Sequence, residues 1–66
     1  MRNTIRIERA ILNITQEELA QRISVSRQTI NSIEKTRYIP STLLALKISR
    51  VFNKSVNEIF ELEVGD

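Results

Sequence analysis

The sequence holds no cysteine, no histidine and no tryptophan, and only one glycine and one proline among its 66 residues. Disulfides are therefore excluded, as is any metal site built on thiolate or imidazole, the usual staples of small domains. A chain of this length buries only about 60% of its unfolded surface. Helix packing and a partner subunit are what remain to stabilise it. The absence of cysteine suits a reducing cytoplasm. No apolar run approaches the ~20 residues needed to cross a bilayer, and no apolar signal core opens the chain. The expectation is a soluble, cytoplasmic protein with no membrane partner, forming one domain over residues 1–66. With 41% hydrophobic and 27% charged residues, disorder is not expected.

The same absences narrow the chemistry. Without His or Cys, candidate catalytic groups are carboxylates, Ser, Lys and Tyr. Glu17 and Glu18 are adjacent at a helix start and diverge by about 100°. They suit the helix dipole better than acid–base catalysis. No glycine-rich phosphate loop exists. The sequence does not read as an enzyme; no cofactor is implied, and the chain leaves no room for a sensor domain that would take a small-molecule ligand.

Charge is unevenly spread. Arg22, Arg27, Lys35, Arg37, Lys47 and Arg50 are opposed between positions 22 and 50 only by Glu34, whereas Glu58, Glu61, Glu63 and Asp66 crowd the last ten residues. A basic middle beside an acidic tail fits a polyanion on one face, and equally an unevenly charged solvated surface.

Apolar spacing is helical nearly throughout. Ile5, Arg9 and Leu12, with Ile7, Ile11 and Ile14, predict a helix from about Thr4 to Leu12, stopped at Asn13, which tolerates the left-handed conformation. Thr15 and Glu18 form a capping box for a second helix, Gln16 to Ile23, with Leu19, Ala20 and Ile23 inside. Ser26 caps a third, about Arg27 to Lys35. Pro40-Ser41 marks a fresh start, and Leu43, Leu44, Leu46, Lys47, Ile48, Val51 and Phe52 give a strongly apolar fourth helix. Ser55 caps a short fifth carrying Val56, Ile59 and Phe60. Leu62 and Val64 alternate with Glu61 and Glu63, as in a short strand or a frayed tail. The fold class expected is all-α, a compact five-helix bundle.

Only Ser24, Val25 and Ser26 separate the second and third helices. A break that short makes the helices cross steeply, as in a helix-turn-helix, and the small Ala20 lets them approach. On the third helix Ser26, Ile30 and Ile33 point inward. The opposite face presents Gln28, Ser32 and Lys35 beside Asn31, with Arg27 and Gln28 at the tip. Gln can bond adenine at two positions at once, and Arg can do the same to guanine.

The run Leu19-Ala20-Gln21-Arg22 through Val25-Ser26-Arg27-Gln28-Thr29-Ile30-Asn31-Ser32-Ile33-Glu34-Lys35 resembles the helix-turn-helix of phage repressor and Cro proteins, the XRE family. Tyr38, Pro40-Ser41, Ala45-Leu46-Lys47-Ile48 and Asn57-Glu58-Ile59-Phe60 are similar to its small stand-alone regulators, so the resemblance covers essentially the whole chain. It implies a lambda repressor-like DNA-binding domain, a transcriptional regulator that acts as a homodimer on an inverted repeat of double-stranded DNA and most simply represses.

By the same resemblance, Gln16 would bond a phosphate from its side chain and the helix start. Arg27, Gln28 and Ser32 occupy base-reading positions, and Thr29 counts among the DNA-binding residues. Asn31, Lys35, Arg37 and Tyr38 would touch the backbone. Arg9 and Glu34 match a structural salt bridge. Val56, Ile59, Phe60, Leu62 and Val64 would form the dimer interface, with core packing as the plainer account of the same residues. The chain departs from the family at Asn13, Ser24 and Thr36, where glycine is usual. Ser24 and Thr36 would each cost on the order of 1 kcal/mol or more at positive φ.

Two other readings compete. A protein-interaction module or antitoxin component could use this fold, although an antitoxin would typically carry a longer toxin-wrapping segment. A membrane-surface helix fails for want of a basic amphipathic helix with an aromatic apolar face.

Overall fold

The computed structural model describes residues 1–66. In chain order the elements are β1 (Arg2–Asn3), α1 (Ile5–Leu12), α2 (Gln16–Arg22), α3 (Arg27–Glu34), α4 (Thr42–Phe52), α5 (Val56–Ile59) and β2 (Phe60–Glu61). All five expected helices form within a residue or so of their predicted ends. The strand lies at Phe60–Glu61 rather than at Leu62–Val64, and its antiparallel partner β1 pairs Arg2 with Glu61 and Asn3 with Phe60.

Side-chain caps start the helices where the sequence places them. Thr15 Oγ1 accepts from the Glu18 amide at 3.0 Å, and Glu18 Oε1 accepts from the Thr15 amide at 3.0 Å. Ser26 Oγ accepts from the Thr29 amide and Ser41 Oγ from the Leu44 amide, both at 3.2 Å. Ser26 itself is exposed and acts as a cap, so it does not point inward as helical phase suggested. At α5 the Ser55 amide donates to Glu58 Oε1 at 3.0 Å.

Helix ends share one device. Asn13, Ser24, Thr36 and Asn53 all have φ between 53° and 59°. At each, the following amide reaches back to a carbonyl five residues earlier: Ile14 to Arg9, Val25 to Ala20, Arg37 to Ser32 and Lys54 to Ser49. The left-handed residue's own amide bonds three residues back in every case. These are Schellman ends, which satisfy carbonyls that an abrupt helix stop would strand. Here they are built without glycine; Gly65 lies outside all of them.

The core is a single cluster with Ile5, Leu19, Ile30, Ile33, Ile48 and Ile59 fully buried, joined by Ala20, Ile23, Leu44, Phe52 and Phe60. The face α1 buries is not its most apolar one. Ile7 and Ile11 are exposed, while Glu8 is buried with Ile5. Lys54 Nζ donates to Glu8 Oε2 at 2.8 Å, which makes that burial tolerable and holds Lys54 above its ordinary pKa. Asn3 ties β1 inward, its Nδ2 donating to the Ile33 carbonyl at 2.9 Å. No helix is long and apolar enough to cross a membrane.

Candidate nucleic-acid interface

The second and third helices form one local unit. α2 ends on the left-handed Ser24, Val25 is half-buried and its amide closes on Ala20, and Ser26 opens α3. Leu19 and Ala20 from α2 bury against Ile30 and Ile33 from α3. With the apolar side of α3 consumed, its polar side is left outward: Arg27, Gln28 and Lys35 are exposed, and Thr29, Asn31 and Ser32 are half-exposed.

The unit is fastened to α1 by Arg9. Its Nε donates to Glu34 Oε2 at 2.7 Å and its Nη2 to Glu34 Oε1 at 3.1 Å, a two-bond fork. Arg9 Nη1 also donates to the Ile14 carbonyl at 3.2 Å. The Glu34 side chain is only 8% exposed. Bonding to Glu34 raises the Arg9 pKa above its ordinary value, outweighing the opposing effect of burial.

The predicted contact residues fall into adjoining groups around α3. Gln28, Thr29 and Ser32 line a shallow depression together with Tyr38, a residue 47% exposed. Within it the Thr29 hydroxyl is committed to Ser26 Oγ at 3.0 Å. Gln16, Asn31 and Lys35 line a polar notch together with Arg6, Arg9 and Glu34. Gln16 Nε2 donates to both Asn31 Oδ1 and Glu34 Oε1 at 3.3 Å, so its amide bridges α2 to α3. Arg27 lies instead with Gln16 and Glu17 along a third hollow between α1 and the start of α2, apart from Gln28 and Ser32. Arg37 is exposed in the loop after α3 and lines none of these hollows.

Sequence reasoning missed Arg6 and the Gln16 bridge. The first had a signal available: Arg6 precedes Arg9 by three residues, which puts both on one side of α1. The bridge depends on the α2–α3 crossing and had none.

The five residues expected at a dimer interface separate sharply. Ile59 and Phe60 are 1% and 6% exposed and belong to the core, which corrects their assignment to a partner-facing surface. The N-terminal segment covers them: the Thr4 amide donates to the Ile59 carbonyl at 2.9 Å and Phe60 pairs with Asn3 of β1, and both side chains join the core cluster. Val56 is half-buried, and Leu62 and Val64 are exposed. Leu43 and Leu46, read from sequence only as part of the apolar fourth helix, and Ile39, which sequence did not single out, are also exposed. An apolar groove runs past Ile39, Pro40, Leu46 and Val56.

Residues 5–59 match the helix-turn-helix family model. Over 63 residues the chain is 48% identical to an uncharacterized HTH-type transcriptional regulator of Methanocaldococcus jannaschii, covering 96% of each chain. It is 53% identical over 60 residues to another of that description from Archaeoglobus fulgidus, covering 91% of this chain and 84% of the relative. A Bacillus subtilis protein named uncharacterized HTH-type transcriptional regulator YgzD is 43% identical over 63 residues, with 96% of each covered. With the family model spanning most of the sequence and the motif's turn, caps and buried seam all present, the chain belongs to the helix-turn-helix family of the XRE type.

Proposed function

We propose that this protein is a sequence-specific double-stranded DNA-binding transcriptional regulator of the cytoplasm, a repressor that acts as a homodimer on an inverted-repeat operator. The observation that carries the proposal is the α3 surface: Gln28 and Ser32 stand outward in one depression with Tyr38, on a helix whose other side is sealed into the core. Such a helix can enter a major groove with amide and hydroxyl groups facing base edges. Gln28 and Ser32 read bases in this account. Asn31, Lys35, Arg37 and the Gln16 side chain contact the backbone, and Arg27, lying beside Gln16, reaches the edge of the groove.

Two-fold pairing uses the half-buried Val56 and the exposed Leu62 together with the exposed Ile39 and Leu46, and spaces the two α3 helices about 34–36 Å apart. A dimer seated beside a promoter blocks polymerase by occupancy. The groove past Ile39 and Leu46 also favours a second reading, a protein-interaction module whose partner is a different chain.

Selection of bound duplexes from random DNA at moderate salt, followed by sequencing, separates the two. An inverted repeat with half-sites about ten base pairs apart supports the dimeric sequence reader. Recovery of no preferred sequence rejects it and favours the interaction module.

A further inference from the structure

Of the ten basic side chains, Arg2, Arg9 and Lys54 are held in ion pairs, with Glu61, Glu34 and Glu8. Arg6 is not, although it lies one helical turn from Arg9. It is exposed and lines the polar notch between α1 and α3 with Arg9, Gln16, Asn31, Glu34 and Lys35.

The chemistry of that notch selects an anion. Its one carboxylate, Glu34, takes the Arg9 fork and the Gln16 amide. Arg6 from α1 and Lys35 from the end of α3 are left as uncommitted cations, with Asn31 also lining the notch. No apolar residue lines the notch. It also shares Asn31 and Lys35 with the face proposed to meet DNA, so a duplex docked on α3 passes the mouth of the notch.

We infer that Arg6 is a further DNA-contacting residue, which together with Lys35 binds a backbone phosphate across this notch and extends the contact surface from the helix-turn-helix onto α1. This rests on the DNA-binding reading above. The contact carries no sequence information; it adds affinity and fixes the angle at which the motif lies on the duplex.

The test is the salt dependence of duplex binding for the wild type, Arg6→Gln, Arg6→Lys and Arg50→Gln. The last removes the same charge from an exposed position on α4. Loss of one phosphate contact lowers the slope of log K against log salt by about 0.9. Arg6→Gln is expected to show that loss and to weaken preferred and random duplexes alike, Arg6→Lys to keep the wild-type slope, and Arg50→Gln to leave it unchanged. An unaltered slope in Arg6→Gln overturns the inference, as does an equal fall in Arg50→Gln, which would mark a general charge effect. Absence of any duplex binding by the wild type overturns the DNA reading itself, a separate outcome from either.

Discussion

The scaffold helices α1 and α4 and the motif helices α2 and α3 finish in the same backbone geometry but on different residues. Asn13 and Asn53 end the scaffold pair; Ser24 and Thr36 end the motif pair. Asn visits the left-handed region readily because its short amide bonds locally, whereas a β-branched Thr there is a true outlier. Conformational strain is thus concentrated in the two helices that carry the candidate interface, at the turn between them and at the exit from α3. The motif keeps its shape because its surroundings over-determine it: the Ala20 and Ser32 carbonyls are claimed by backbone amides beyond the turn, and Arg9 grips the last turn of α3.

The strongest way to break that arrangement is to cut the grip. Arg9→Met leaves Glu34 almost fully buried without its charge partner, and a loss of ~3–5 kcal/mol is expected in chemical denaturation. Arg9→Met combined with Glu34→Leu should recover most of it. A single variant as stable as the wild type would mean that α1 does not hold the motif.

Next in size is the reading face. Gln28→Ala is expected to cost roughly 1–3 kcal/mol of binding at one operator position while sparing random duplexes. Equal weakening of all sequences, in a quantitative binding titration, would move Gln28 from base readout to backbone contact.

Glycine substitution sharpens the contrast between the two pairs of helix ends. Relief of left-handed strain, about 1–2 kcal/mol, exceeds the roughly 0.5–1 kcal/mol of added chain entropy. Thr36→Gly and Ser24→Gly should therefore stabilise by about 0.5–1 kcal/mol, Thr36→Gly the more, and Asn13→Gly and Asn53→Gly should change little. The same shift at all four positions in denaturant midpoints would erase the distinction.

The smallest effect separates the caps of α2 and α5. Backbone amide bonds from Thr15 and from Ser55 hold the Glu18 and Glu58 carboxyls below their ordinary value of 4.5. A depressed carboxylate contributes stability above the unfolded value and loses it as pH falls through the lower folded one. Acid titration of stability should show a shallow fall below about pH 4.5, flattened in part by Glu18→Gln and in part by Glu58→Gln. A profile identical in the double variant would exclude both caps as its source.

Much of this was legible because it is local. Thr15, Ser26 and Ser41 announce helix starts through bonds to amides three residues on, and the three-residue break at Ser24 sets the motif before any long-range contact is known. Asn13, Ser24 and Thr36 stood out because glycine is the usual occupant there. What was not legible depends on distant chain. Glu8 displaces Ile7 and Ile11 from the buried side of α1 because Lys54 is there to receive it. Ile59 and Phe60 look like an apolar surface until the chain start meets them, Asn3 pairing with Phe60 and the Thr4 amide bonding the Ile59 carbonyl. Helical phase puts Arg27 and Gln28 together at one tip, yet the side chain of Arg27 follows the start of α2 while Gln28 turns toward Tyr38.

The pairing of β1 with β2 has a consequence for the order of folding. Arg2 and Glu61 are 59 positions apart, whereas the backbone bonds that shape α2, its turn and α3 span five residues or fewer. Loop-closure entropy grows only with the logarithm of length, by about 0.6 kcal/mol per doubling, so the distant pairing is thermodynamically inexpensive. It is expected to form late, since the loop-closure entropy of a distant contact must be met before the contact repays it. The expected order is therefore the motif first and the strand clasp that seals Ile59 and Phe60 second, with two large apolar side chains shown in the interval that the finished molecule hides.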